Sequence, residues 1–302
     1  MIQRAFVAFL LTLSSCKSSS TTTSPSKSFS VEEIASYLPH CSKWEMRALT
    51  AQEEVGLDDA LSQTYSYLGS GGQCYAFSSE DGRYILKFFK QKAFAIPQWL
   101  EQFPLPFFVR GLKNKKLKKR ESKRNKVFSA FKLSFDLLPQ ETGILYVHLN
   151  PTGHFNRSLK VKGPSGLSYE LDLNDFEFVI QKRAELAYHR IDSLVKAQNL
   201  EGAKRAIDQL LALHIQLYKK GIRNKDANFR SNYGFIGDEP IIVDVGRVVY
   251  CEKIKKLRNY KSELERIAPR FRNWIQLTHP QLLSHFDGSM EKIGQESEVT
   301  CK

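Results

Sequence analysis

The sequence predicts an α+β chain in two lobes: an antiparallel sheet with one long helix, then a mainly helical half. Three observations carry this expectation. Asp81-Gly82 and Gly163-Pro-Ser-Gly166 each sit between short apolar runs, which is hairpin chemistry. Leu117, Glu121, Arg124, Phe128, Phe131, Phe135 and Leu138 recur at helical spacing over 113–138. The stretches 185–196 and 200–219 are amphipathic, the second through Ala206, Leu210, Leu213 and Leu217, with Gly221 to end it.

In chain order, Arg4 precedes an apolar run, Ala5 to Leu13, that is too short to span a bilayer, and Leu13-Ser-Ser-Cys16 follows. That pattern resembles the lipobox of bacterial lipoproteins. The resemblance implies a signal peptide over 1–15, acylation of Cys16, and a lipid anchor at the outer membrane or periplasmic face, or else a surface or secreted location. Residues 16–30 are rich in Ser and Thr and read as a tether. Ser30-Val-Glu-Glu33 and Ser42-Lys-Trp-Glu45 have capping-box spacing. They predict short helices over 31–38 and 43–63, an N-terminal extension (31–64) packed outside the main domain.

The sheet lobe is expected over 65–184. Its strands fall at 65–68, 75–77, 83–89, 143–149, 159–162, 168–173 and 175–181, with an irregular insertion at 93–111 and the long helix at 113–138. The helical lobe is expected over 185–290. It holds a loop and hairpin at 223–247, then helices over 252–266 and 268–286. The tail from Asp287, polar over 291–302, is expected to be loose.

Composition excludes several classes. With 42% apolar and 25% charged residues, the 302-residue chain is neither disordered nor a coiled coil. The net charge of +13 favours phosphate-bearing partners. Arg110 to Lys126 carries ten Lys or Arg and one acid. Such a run reads as a solvated face or as a contact for anionic lipid headgroups. Nucleic acid ranks last, because no recognition motif accompanies the run. Cys41, Cys74, Cys251 and Cys301 are available for disulfides if the chain is exported. No Cys/His cluster with zinc spacing and no nucleophile-elbow pattern occurs.

The chemistry-bearing residues come in a fixed order. Gly69-Ser-Gly71-Gly72-Gln-Cys74 joins two strands, so its backbone can lie close over phosphates. Lys87 lies on the next strand among apolar residues, within reach of a ligand under that loop. Glu121 shares the apolar line of the long helix, and a carboxylate there needs a cation. Lys87 is the expected partner, with Glu101 the alternative to Glu121. Asp226, Asn232 and Asp244 offer a carboxylate, an amide oxygen and a carboxylate on one hairpin edge, a set suited to Mg²⁺.

In that order the residues resemble the protein-kinase-like superfamily over about 65–250. The resemblance implies a two-lobe protein-kinase-like fold with ATP and Mg²⁺ as cofactors. Gly69, Gly71 and Gly72 would sit over the triphosphate and Lys87 on its phosphates. Glu121 would orient Lys87, and 177–184 would touch adenine. Asp226 would act as catalytic base, and Asn232 and Asp244 as metal ligands. The departures are Cys74 in place of the third glycine, Arg-Asn-Lys-Asp226 before the base, six residues rather than five from Asp226 to Asn232, and Asp-Val-Gly246. Only 58 residues follow Asp244, so the helical lobe is abbreviated. Two functions remain open on this basis: a membrane-tethered phosphotransferase to a hydroxyl acceptor, or an inactive pseudokinase that binds or scaffolds at a bacterial membrane surface.

Overall fold

The computed structural model describes residues 29–94, 107–153 and 155–299. Cys16, the lipobox, most of the tether, Glu101 and Cys301 lie outside them.

The expected α+β division is what the chain forms. Strands β1 (Tyr65–Ser70), β2 (Cys74–Ser79), β3 (Tyr84–Phe89), β4 (Ile144–His148), β5 (Ser158–Lys162), β6 (Ser168–Asp172) and β7 (Phe178–Lys182) make one sheet. Its order is β4-β7-β3-β2-β1-β5-β6, antiparallel throughout except between β1 and β5. The β2–β3 turn uses Gly82 at φ +72, where only glycine is unstrained, and Asp81 accepts from the Arg83 amide at 2.9 Å.

Alternation along the strands gives the sheet two apolar faces. Phe77, Leu86, Phe88 and Ile180 pack under Phe29, Ile34 and Leu57. On the other face, Phe89 and Val179 meet Phe128, Phe131 and Phe135. Those three phenylalanines belong to α2 (Phe107–Leu137), which follows α1 (Ala51–Leu61) and precedes the short α3 (Pro139–Thr142). The second core continues into the helical lobe: β8 (Glu185–Leu186), α4 (Ala187–Lys196), α5 (Leu200–Lys219), β9 (Ile222–Asn224), β10 (Tyr233–Ile236), β11 (Glu239–Ile242), β12 (Val248–Tyr250), α6 (Leu257–Thr278) and α7 (Leu283–Val299). Two small sheets, β11-β10-β8 and β12-β9, frame the 223–247 stretch. Among the described residues no helix is long and apolar enough to cross a membrane.

Several element expectations need correction. Val31–Glu33 and Ser42–Trp44 are single 3-10 turns, and neither N-cap makes a side-chain cap bond. Glu33 is drawn instead to Tyr75 and Lys92. The capping box is Thr50/Glu53, at the start of α1. The segment before it is not outside the domain. Ile34 is fully buried, Ala35 bridges Phe176, and Trp44 sits edge-on to Phe128 at 5.4 Å. Burial of these apolar side chains overrides weak helix propensity. α2 begins at Phe107, six residues before Lys113, so the expected irregular insertion ends earlier.

α6 runs unbroken through Pro269 where a break was expected at 266–268. An internal proline costs about 3 kcal/mol. Leu264, Ile267, Phe271 and Ile275 on one buried face return about 1.5–3 kcal/mol each and outweigh it. The tail from Asp287 is helical to Val299, and Asp287 takes both forks of Arg272 at 2.8 and 2.7 Å. Cys41, Cys74 and Cys251 are free thiols, so no expected disulfide forms among the described residues.

Candidate active site

The floor of the site is the stretch after β9. Asn224 is buried and ties two of the expected site residues together. Its Oδ1 accepts from the Asp226 amide at 3.0 Å, and its Nδ2 donates to the Asp244 carbonyl at 3.3 Å. Asn232, also buried, donates from Nδ2 to the Asp226 carbonyl at 2.6 Å. Its own carbonyl accepts from the Val243 amide at 2.8 Å, across the β10–β11 hairpin. Asp226, Asn232 and Asp244 thus meet at one edge. Asp226 and Asp244 are exposed there, and one oxygen of Asp244 accepts from the Gly246 amide at 2.9 Å.

The extra residue between Asp226 and Asn232 does not displace the asparagine. The Asn228 carbonyl accepts from the Asn232 amide at 2.9 Å, closing a turn that leaves Arg230 and Ser231 outside. Phe229 goes inward instead and stacks on Phe271 at 4.7 Å, with His214 and Tyr233 beside it. Burial holds His214 neutral, pushing its pKa down to about 3. Arg223, three residues before Asp226, pins the loop to α6: its fork meets the buried Glu263 at 3.0 and 2.8 Å, where Arg266 also binds. Burial pushes the Glu263 carboxyl up, but hydrogen bonds from Arg266 and Arg223 bring it below the usual range.

The roof comes from β1 to β3. Leu86 and Phe88 face the outer core, so alternation turns Lys87 toward the floor. The Lys87 ammonium donates to Gln181 Oε1 at 2.7 Å and to the Val243 carbonyl at 2.8 Å, one residue before Asp244. Burial pushes its pKa down while the nearby Asp244 carboxylate holds it up. Gln181 donates in turn to the carbonyls of Thr142 at 2.6 Å and Ile242 at 3.2 Å, so one amide joins both lobes.

In the glycine loop, Gly69 sits at a bulge in β1, and the Gly71 amide donates to the Cys74 carbonyl at 2.9 Å. Lys90 supports the loop from beneath, donating to Ser70 Oγ at 2.6 Å and to the Gly71 carbonyl. Gln73 reaches down to the Asp-Val-Gly turn, where a Cβ on Gly246 would lie 2.7 Å from its Oε1. Cβ atoms at Gly69 and Gly72 would meet nothing within 4 Å, and neither residue has positive φ. The chain's own packing therefore does not require glycine at either position.

Glu121 does not hold Lys87. It is exposed and lines a groove of about 630 Å³ between α2 and Val248–Tyr250. The helical line was read correctly as an angle, but Val127 is the first buried residue of α2 among the described side chains. At Glu121 the helix has already left the core. Glu101 lies outside the described residues. The buried carboxylate of this region is Glu177, just before β7, which accepts from Ser36 Oγ and Gln91 Nε2. Burial raises its pKa to about 7, against the lowering effect of Ser36, Gln91 and Arg124. Glu177 therefore sits in a buried hydrogen-bonded cluster rather than at an adenine-contacting edge.

Sequence reading missed Asn224, Gln181 and Lys90. The first two are neutral amides that act by bonding backbone, Asn224 within the floor and Gln181 to Thr142 and Ile242 far along the chain, and no spacing rule reports that. Among the described residues no group of three or more His, Cys, Asp or Glu is placed to hold a metal ion. Asp244, exposed, and Asn232, whose Oδ1 accepts from Ser231 Oγ at 2.8 Å, are the side chains there that could offer oxygen to a cation such as Mg²⁺.

No family model and no curated protein matches the chain. Among solved structures it is similar to the bifunctional kinase-methyltransferase WbdD, at 13% identity over 74% of this chain and 47% of that one, with a TM-score of 0.35. It is also similar to the ROP18 kinase domain in complex with AMP-PNP and sucrose, at 15% identity over 61% and 51%, TM-score 0.33. A third is Rv3197 from Mycobacterium tuberculosis, solved with erythromycin, at 16% identity over 81% and 60%, TM-score 0.31. The chain spans about half the length of the first two. At such scores the likeness carries no chemistry, which rests on the cleft's own geometry.

Proposed function

We propose that the chain is kinase-like and that its cleft binds Mg-ATP and transfers a phosphoryl group to a hydroxyl acceptor. The observation that carries this reading is the closure of the floor: Asn232 on the Asp226 carbonyl, with Asp244 alongside and the Lys87 ammonium one residue away, on Val243. In this reading Lys87 neutralises phosphate charge, Asp244 and Asn232 hold Mg²⁺, and exposed Asp226 accepts the acceptor's hydroxyl proton. Mg²⁺ supplies charge neutralisation at the transferring group. The open space over Gly69 and Gly72 supports close approach of phosphates to the backbone.

One observation favours a second reading. Lys87 donates to a side-chain amide and a backbone carbonyl, and neither is a carboxylate. A site with Lys87 held this way fits a pseudokinase that binds nucleotide without turnover. Anchoring through Cys16 belongs to both readings, and Cys16→Ser should then leave only membrane attachment that high salt removes; attachment that resists high salt as in the wild type counts against the anchor.

Thermal stability with and without Mg-ATP, alongside ADP formation, separates the readings. A site filled at a hundred times Kd stabilises by about 2.7 kcal/mol. That shift should vanish in Asp244→Ala. No shift in the wild type sinks both readings; a shift without ADP formation supports the pseudokinase.

A further inference from the structure

We infer that the first half of α2 is a docking face for an anionic bilayer, independently of what the cleft does. α2 has two halves of different character. From Val127 onward it is buried against the sheet, whereas residues 111–126 contain no buried side chain. On the exposed half, Lys115, Lys119, Ser122 and Lys126 fall at i, i+4, i+7 and i+11, one line along the helix. That line points away from Phe128, Phe131 and Phe135, which face the core. Lys116, Lys118 and Lys123 flank it, all exposed, and Leu112 lies among them with 70% of its surface open.

Among the described residues, Lys115, Lys116, Lys118, Lys119 and Lys126 make no ion pair. Lys115 with Lys119, and Lys119 with Lys123, are like charges at i, i+4, which disfavour the helix that carries them. An anionic plane removes that repulsion along the whole line. A lone apolar side chain among lysines suits the boundary between headgroups and acyl chains.

The way the chain enters the fold says why a membrane is favoured over other polyanions. Phe29, the first described residue, packs on Tyr75 and Phe77 of the sheet lobe. The same segment reaches α2 at Trp44, which sits edge-on to Phe128 at 5.4 Å. Twelve residues lie between Cys16 and Phe29, a reach of up to about 45 Å when extended. The exposed half of α2 is about 24 Å long. A chain held at Cys16 can therefore lay this face on the surface that holds it.

The chain from Lys17 onward keeps every described element and lacks the apolar leader. It should co-sediment with vesicles of phosphatidylcholine mixed with phosphatidylglycerol, and not with phosphatidylcholine alone. Added salt should weaken the binding. Replacing Lys115→Gln, Lys119→Gln and Lys126→Gln together should weaken it about a hundredfold, with the melting temperature unchanged. Equal sedimentation with both vesicles, none with either, or no effect of the triple replacement would overturn the inference. So would tighter binding to RNA at equal phosphate concentration.

Discussion

The floor and the roof of the cleft are built by different means. The floor is a local structure. Asn224, Asp226, Asn232 and Asp244 lie within one short stretch, and side-chain amides bond backbone atoms a few residues away or across one hairpin. The roof is assembled from afar: Lys87 is held by Gln181 and Val243, and the buried carboxylate beside α2 comes from Glu177. A local structure absorbs an extra residue by bulging it out, as Arg230 and Ser231 show. An assembled one depends on where distant elements come to rest.

The comparison can be broken or sharpened by substitution. The largest expected effect lies in the roof. A carboxyl that binds its proton more tightly folded than unfolded makes the fold lose stability as pH rises. For Glu177 that window runs from the ordinary 4.5 to about 7. The loss should reach about 3 kcal/mol at 1.36 kcal/mol per pKa unit. Denaturant titrations at pH 5 and pH 7.5 should show it in wild type and not in Glu177→Gln. A flat wild-type profile would remove Glu177 as a buried acid.

Next comes the pin under the floor. Glu263→Ala leaves Arg223 and Arg266 without their carboxylate and should cost about 2 kcal/mol in urea unfolding, near the value for hydrogen bonds to charged groups. A loss below half that would mean the loop does not depend on α6. Asn232→Ala should cost about 1 kcal/mol and abolish stabilisation by Mg-ATP. Retained stabilisation would show that the floor's closure is not needed for nucleotide. The smallest effects are expected from Gly72→Ala and Glu121→Ala, each within about 0.5 kcal/mol of wild-type stability. The glycine replacement alone should weaken Mg-ATP, read in the same melts, whereas Glu121→Ala should leave it unchanged.

Much of the fold was legible where a local rule had no competitor. The bounds of α5 follow from its apolar period with Gly221 to end it, and the β10–β11 hairpin from its turn and flanking apolar residues. The N-terminal segment was misread because Ser-x-x-Glu spacing occurs at Ser30 and Ser42 without capping, while the working pair is Thr50 and Glu53. The break expected between 266 and 268 does not occur, because the buried face of α6 carries the helix on through Pro269.

The sequence by itself determined the α+β order, the turn chemistry, the basic run of α2 and three residues of the floor, Asp226, Asn232 and Asp244. Each depends on neighbours within a few turns or one hairpin, where spacing fixes geometry. The tertiary structure decided that Lys87 meets an amide and a carbonyl, that Glu177 is the buried acid, and that Glu121 is not. The physical reason is the same in all three cases. A helical or strand period fixes the direction in which a side chain points. It does not say how far along the element the core extends, nor which distant backbone will be there to meet it.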